Sequence, residues 1–139
     1  YAVGDIATYP YHGPGGEGAP IRIEHWNVAQ NSGRAAAAHI VAPTAPRKPF
    51  IPIFWSALGA QLRYCGNTGS GFDGSVVHGS LEEYKFAVFY TRGEEVLAVV
   101  TMGKDPVMSH SSELMRRGVF PKKAELEKGL DILTIEVPA

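Results

Sequence analysis

The sequence predicts an α+β fold, an antiparallel sheet with covering helices, and three observations carry that prediction. Four short segments rich in β-branched and aromatic residues follow one another between residues 61 and 102. Helical patterns come after these segments rather than between them, which is the order of an α+β domain and not of an alternating α/β one. Ahead of them, a helix with an unusually small-residue face is set off by a proline-rich connector, so the chain divides into residues 1–46 and 47–139.

Tyr1, Ala2 and Val3 read as the end of a buried strand, Gly4 as a tight turn, and Asp5 as a carboxylate held at the strand end. No Met precedes them, and the expectation is a piece of a longer chain that starts inside a strand. Tyr9 to Pro20 (YPYHGPGGEGAP) is dense in Gly and Pro and is expected to be a loop without regular structure. From Glu24 to about Val41, Trp26, Ala29, Gly33, Ala36 and Ile40 recur at helical spacing, with Asn27, Gln30 and Arg34 opposite. Such small residues permit close approach of a neighbouring sheet, which suits a helix packed on an α/β sheet. Ala42 to Pro52 carries four prolines, which end the helix and make a connector.

Beyond it, Gln61–Gly66, Ser75–Gly79, Tyr84–Thr91 and Val96–Met102 are the strand candidates, the last two joined by a tight turn at Arg92 and Gly93. The Tyr84–Thr91 strand is apolar on both faces (Tyr84, Phe86, Val88 and Tyr90 against Ala87 and Phe89), so helices are expected to cover one of them. Pro106 begins a helix that stops at Gly118, Lys122–Lys128 makes a second short helix, and Leu130–Val137 is expected to return as a final strand.

Composition narrows the function. The chain has 139 residues, 45% apolar and 19% charged, with a formal charge of −1. That balance excludes a nucleic-acid backbone binder. No apolar run approaches the roughly 20 residues that a membrane-spanning helix requires. The single Cys65 rules out an internal disulfide and any multi-cysteine cluster, and reads as a small buried hydrophobe. The five histidines lack the spacing that aims two ligands at one ion, so no metal site is assigned. Ser56, Ser109 and Cys65 have no neighbouring nucleophile motif, so no catalytic residue is assigned either. Gly66–Gly74 (GNTGSGFDG) lacks the Lys-Ser/Thr ending of a phosphate loop and precedes a strand candidate, so it reads as a hairpin or crossover loop.

One constellation stands out: Gly4-Asp5 at a strand end, Glu24-His25-Trp26 at a helix start, and Phe54-Trp55-Ser56 after the connector. A helix N-terminus favours an electron-rich oxygen, a strand-end carboxylate accepts from sugar-alcohol hydroxyls, and tryptophans flank a flat ring. The residues alone are compatible with a flavin or nucleotide site but favour ordinary packing and capping.

YAVGD, IRIEHWNVAQNSGRAAAAHI and PFIPIFWSALGAQLRYCG, in this order, resemble the distal part of the pyridine-nucleotide-disulfide oxidoreductase fold. The branch is the one of apoptosis-inducing-factor-like proteins and NADH-dependent ferredoxin reductases. GFDGSVVHGSLEEYKFAVFYTRGEEVLAVVTMGKDP is similar to the reductase C-terminal domain of that branch. The resemblance implies that residues 1–46 are the last strand and helix of an FAD-binding α/β domain with its linker, and that 47–139 is an interface or dimerisation domain. It implies FAD on the parent protein and NAD(P)H as its substrate. Asp5 would bind the ribityl chain, the amides around His25 and Trp26 would meet the pyrimidine oxygen, Glu24 would contact the nicotinamide carboxamide, and Trp55, supported by Phe54, would stack near the isoalloxazine. The GxGxxG phosphate loop, the second dinucleotide domain and the family's Lys-Glu pair are not in this sequence. This segment alone is therefore expected to bind FAD weakly or not at all and to be inactive. Its partners would be the upstream FAD and NAD domains, a ferredoxin or Rieske-type acceptor and a possible second copy, in a mitochondrial or cytoplasmic, intracellular setting. The competing reading is a non-catalytic interaction or dimerisation module, with a possible link to apoptosis.

Overall fold

A computed structural model describes residues 1–47 and 49–138; Lys48, inside the expected connector, and Ala139 lie outside the described residues. The chain order is β1 (Tyr9–Tyr11), β2 (Ala19–Ile21), α1 (Trp26–Val41), β3 (Ile53–Leu58), β4 (Ala60–Gly66), β5 (Gly74–Ser80), β6 (Lys85–Arg92), β7 (Glu95–Met102), α2 (Val107–Arg117) and α3 (Lys123–Glu127), with short 3₁₀ turns at Gly4–Ile6 and Ile132–Thr134. Strands β3 to β7 form one antiparallel sheet in the order β3-β4-β7-β6-β5. The α+β expectation is therefore met, with α2 and α3 following the strands of the sheet and packing on one of its faces.

Period-2 alternation explains where the core lies. Ile53, Cys65, Val99, Phe89 and Val76 stand side by side across the five strands. They meet Val107, Met108, Leu114 and Met115 of α2, Leu126 of α3, and Ile132 in one cluster. The next row, Phe54, Tyr64, Val100, Val88 and Val77, stands on the opposite face. Its aromatics pair within the sheet, Phe54 stacking on Tyr64 with ring centres 4.7 Å apart. Helix α2 ends as the sequence requires: Gly118 takes the left-handed conformation (φ 68°) and donates back to Leu114 and Met115.

Several expectations are corrected. Among the described residues no strand pairs with Tyr1–Val3, and Gly4–Asp5–Ile6 is a 3₁₀ turn. A strand exists only with a hydrogen-bonding neighbour, and none lies alongside these residues. Tyr9–Pro20 is not a plain loop: β1 and β2 pair as a short hairpin. Its Tyr11 is buried in the cluster of the large sheet, with the glycine-rich turn folded over the ring. A Cβ added at Gly13 or Gly16 would lie 2.3 Å from Tyr11 atoms, so glycine is what lets the turn close on the aromatic.

Residues 53–58, read only as an aromatic segment after the connector, are the edge strand β3. Leu130–Val137 is not a strand. The outer side of β3 is met by α1 and that of β5 by α3, where His78 Nε2 lies 2.8 Å from Leu126 O. Ile132, Ile135 and Val137 instead pack onto the core from an irregular segment. Tyr84 sits in the turn before β6 with φ 54°, outside the strand. The β6–β7 turn is centred one residue later than expected, Arg92 pairing with Glu95 around Gly93-Glu94. In α1 the contact side also differs from the small-residue stripe, since Val28 is the buried residue while Trp26 and Ile40 are exposed.

Candidate functional site

Helix α1 begins where the β3 edge needs partners. The outward carbonyls of an edge strand have no neighbouring strand, and here side chains at the start of α1 supply the donors. Asn27 Nδ2 donates to Ile53 O at 2.8 Å, and His25 Nε2 lies 3.1 Å from Trp55 O. His25 is also the N-cap of α1, its Nδ1 accepting from Asn27 N–H at 3.1 Å.

This junction gathers the aromatic residues. Trp26 and Trp55 meet edge to face with centres 5.1 Å apart. His25 stacks on Trp26 at 5.9 Å and meets Trp55 edge-on at 4.9 Å and Phe54 at 6.1 Å. Trp26 is 56% exposed, so one indole borders solvent while Trp55 behind it is half-buried. Quadrupole complementarity favours such edge-to-face contacts by about 0.5–1.5 kcal/mol each.

The other expected site residues lie around this cluster with different degrees of freedom. The Gly4–Ile6 turn packs on α1, Gly4 lying against Ala29. Asp5 on that turn is exposed, and among the described residues its carboxylate has no hydrogen bond or ion pair. Glu24 is exposed and paired with Arg22 at 2.7 Å, both side chains being more than half exposed, which makes the pair weak. The amide of His25 is taken by Ile23 O at 3.1 Å, and that of Asn27 by the imidazole, while the amides of Trp26 and Val28 have no protein partner among the described residues. Sequence reasoning missed the role of Asn27, whose amide group anchors the helix to β3; an Asn two residues after a histidine cap carried no distinctive signal.

Elsewhere the chemistry is quiet. Cys65 is fully buried, and desolvation pushes its thiol up to about 12. Burial likewise raises Tyr9 to about 12 and pushes Tyr11 and Tyr64 upward. A surface depression of about 240 Å³ opens between Gln61, Arg63, Tyr84 and Asp105, where Arg63 and Asp105 pair with one another. It contains none of the residues of the aromatic junction. Among the described residues no three metal-ligating side chains converge, and no helix is long and apolar enough to cross a membrane.

Comparison with known proteins decides the family. Residues 53–131, more than half of the chain, match the family described as reductase C-terminal. The chain belongs to that family. As a reductase C-terminal chain it is 39% identical over 128 residues to human apoptosis-inducing factor 3, which covers 91% of this chain and 20% of that protein. It is 34% identical over 96 residues to the putidaredoxin reductase of Pseudomonas putida, covering 68% of this chain and 22% of that one. Among solved structures, the covalent putidaredoxin reductase–putidaredoxin complex superposes with a TM-score of 0.75 at 32% identity, over 90% of this chain and 29% of the matched chain. The ferredoxin reductase of the CYP199A2 system from Rhodopseudomonas palustris shares the fold, with a TM-score of 0.76 at 23% identity over 95% of this chain and 32% of that one. The chain thus spans about a fifth of the length of the curated relatives it matches, and the expected likeness to the C-terminal part of apoptosis-inducing-factor-like and ferredoxin reductase proteins holds.

Proposed function

We propose that this chain is the C-terminal portion of an FAD-dependent NAD(P)H oxidoreductase of the apoptosis-inducing-factor-like, ferredoxin reductase type. It contributes one wall of the flavin pocket and an interface domain. The observation that carries the reading is the junction at the start of α1. An exposed indole and an amide with no protein partner stand at the helix N-terminus, where the second and third resembling segments meet, and the turn that carries the unpaired Asp5 carboxylate packs on the same helix at Ala29. That set fits a flavin: indoles for the ring, an amide for its pyrimidine oxygen, a carboxylate for sugar-alcohol hydroxyls.

The roles proposed are Asp5 at the ribityl chain, the amide of Trp26 beside His25 at the flavin oxygen, Glu24 at the nicotinamide carboxamide, and Trp55, with Phe54 as its supporting chain neighbour, near the isoalloxazine. Glu24 would leave Arg22 to do so, a small cost for an exposed pair. The redox chemistry is what FAD supplies when bound, and the protein's part is position and electrostatics. Residues 1–46 belong in this reading to the FAD-binding domain and 47–139 to the interface domain. The two are linked through Tyr11, which reaches from the first part into the core of the second.

The solved complex of putidaredoxin reductase with putidaredoxin supports a ferredoxin-type electron acceptor for the parent protein, and a Rieske-type centre is the alternative acceptor in this reading. The resemblance supports an intracellular parent, in mitochondria or cytoplasm. The module reading, with its link to cell death, draws on the apolar side chains left exposed on the N-terminal turn and on α1, among them Tyr1, Ile6, Trp26 and Ile40.

A flavin titration tests the proposal. FAD is added to this chain and to the same segment joined to its preceding flavin and nucleotide domains, following visible absorbance and tryptophan quenching. Saturable binding by the longer protein, weakened by Asp5→Ala, is expected; no binding by either protein, or unchanged flavin content in the Asp5→Ala form, would overturn it.

A further inference from the structure

The chain contains two tryptophans, and both stand against one imidazole. The hydrogen bonds of His25 specify its protonation. Nδ1 accepts from Asn27 N–H, and an accepting nitrogen carries no proton. The neutral ring therefore carries its proton on Nε2, which donates to Trp55 O at 3.1 Å. Trp55 N–H also points at the same Nε2, at 3.4 Å; the shorter Asn27 contact at 3.1 Å assigns the lone pair to Nδ1, and this longer approach goes unsatisfied at the protonated nitrogen.

We propose that His25 is a positioning residue: as the neutral, Nε2-protonated tautomer it couples the N-terminus of α1 to the edge strand β3 and so sets the geometry of the Trp26–Trp55 pair, and protonation at Nδ1 releases that coupling as pH falls. A protonated ring has two donors and no acceptor. The Asn27 amide would then face an N–H instead of a lone pair. The new positive charge would also lie at a helix N-terminus, the end that disfavours cations. Both effects act in the same direction, against the cap.

The charged groups near the ring are few. Its own segment carries the Arg22–Glu24 pair, and the 3₁₀ turn packed on α1 carries the exposed carboxylate of Asp5. From α1, Trp26 and Asn27 are uncharged, as are Phe54 and Trp55 from β3. From β4, Arg63 stands opposite Trp55 and is paired with Asp105, while Tyr64 stands opposite Phe54. Neither ion pair supplies an acceptor to the ring nitrogens. The inference goes beyond the flavin reading, since it concerns only atoms of this chain, and it is tested with no FAD present.

The test follows near-ultraviolet circular dichroism and fluorescence of the tryptophans while the chain is titrated from about pH 8 to about pH 5, the window in which histidines change charge. Nitrogen-15 NMR of the histidine rings is recorded alongside. At the upper end, His25 is expected to show a bare Nδ1 and a protonated Nε2, and the tryptophan signal to change in one step that coincides with the titration of that ring. His25→Asn keeps a strong helix cap on a side chain too short to reach Trp55. It is expected to retain the helical signal and lose the step. An Nδ1-protonated tautomer, or a step that persists in His25→Asn, would overturn the proposal. Should that variant not fold, the tautomer measured on the unaltered chain decides.

Discussion

Replacing Tyr11 tests how the first part of the chain is joined to the large sheet. The ring is 1% exposed, belongs to the same cluster as Cys65, Phe89 and Leu114, and is enclosed by the Gly13–Gly16 turn. Removing a buried aromatic ring costs about 3–5 kcal/mol through lost transfer energy and the cavity left behind. At a urea dependence of about 2 kcal/mol per molar, Tyr11→Ala is expected to lower the unfolding midpoint by about 2 M. The hydroxyl behaves differently. It is buried and has no hydrogen-bond partner within the protein among the described residues. Removing an uncompensated buried hydroxyl leaves stability unchanged or raises it by about 1 kcal/mol. Urea unfolding of the wild type, Tyr11→Ala and Tyr11→Phe, followed by far-ultraviolet circular dichroism, separates ring from hydroxyl. A shift below about 0.5 M for Tyr11→Ala would show that the β1–β2 hairpin lies outside the cooperative unit and would refute the anchoring role of the ring. A marked loss for Tyr11→Phe would show that the hydroxyl is satisfied.

Two glycines give opposite expectations. Gly66 has φ 90°, and an added Cβ would lie 2.3 Å from Leu97 O and 2.8 Å from Ala98 Cα, both backbone atoms. Gly66→Ala is expected to destabilise by more than about 2 kcal/mol. Gly33, inside α1, has nothing within 4 Å of an added Cβ, so Gly33→Ala is expected to stabilise by roughly 0.5–1 kcal/mol; thermal melting of both variants reads the contrast. Cys65 provides a pH dependence. Its folded pKa of about 12 lies above the ordinary 9.0, so the thiol's contribution is intact below about pH 9 and is lost as pH rises toward 12, where the unfolded chain releases the proton first. Alkaline unfolding of Cys65→Ala should show a weaker decline over that interval than the wild type, after allowance for the raised Tyr9 and Tyr11. For the same reason a thiol-alkylating reagent should modify Cys65 at neutral pH only as fast as the sheet opens, and labelling at the rate of a free thiol would contradict its burial.

Much of the sheet was legible. Strands β4 to β7 are marked by β-branched and aromatic runs, because a strand's side-chain period and its fit to a pleated surface are local properties. The end of α2 is equally local, since Gly118 tolerates the left-handed backbone that the cap demands. The candidate site residues were also nameable from sequence, though not their relation. Nothing in the spacing of His25 and Trp55, which lie 30 residues apart, announces that one ring nitrogen meets the other's carbonyl.

The misplaced elements share a cause. Apolar pattern alone promised a strand at Tyr1–Val3 and another at Leu130–Val137, but a strand needs an unpaired edge beside it, and among the described residues neither segment pairs with one. Conversely, Tyr9–Tyr11 and Ala19–Ile21 are too short and too rich in proline and glycine to signal pairing, and they pair because Tyr11 finds a place in the core. By itself, then, the sequence determined the strands whose pattern is local, the helix boundaries marked by glycine and proline, the likeness to a reductase C-terminal domain, and the residue types on which the flavin proposal rests. Only the tertiary structure decided which edge each segment meets, that His25 and Asn27 satisfy outer carbonyls of β3, and that both tryptophans share one imidazole. The reason is that hydrogen-bond satisfaction at a sheet edge and burial in a shared core are set by segments distant in the chain, and no local period records them.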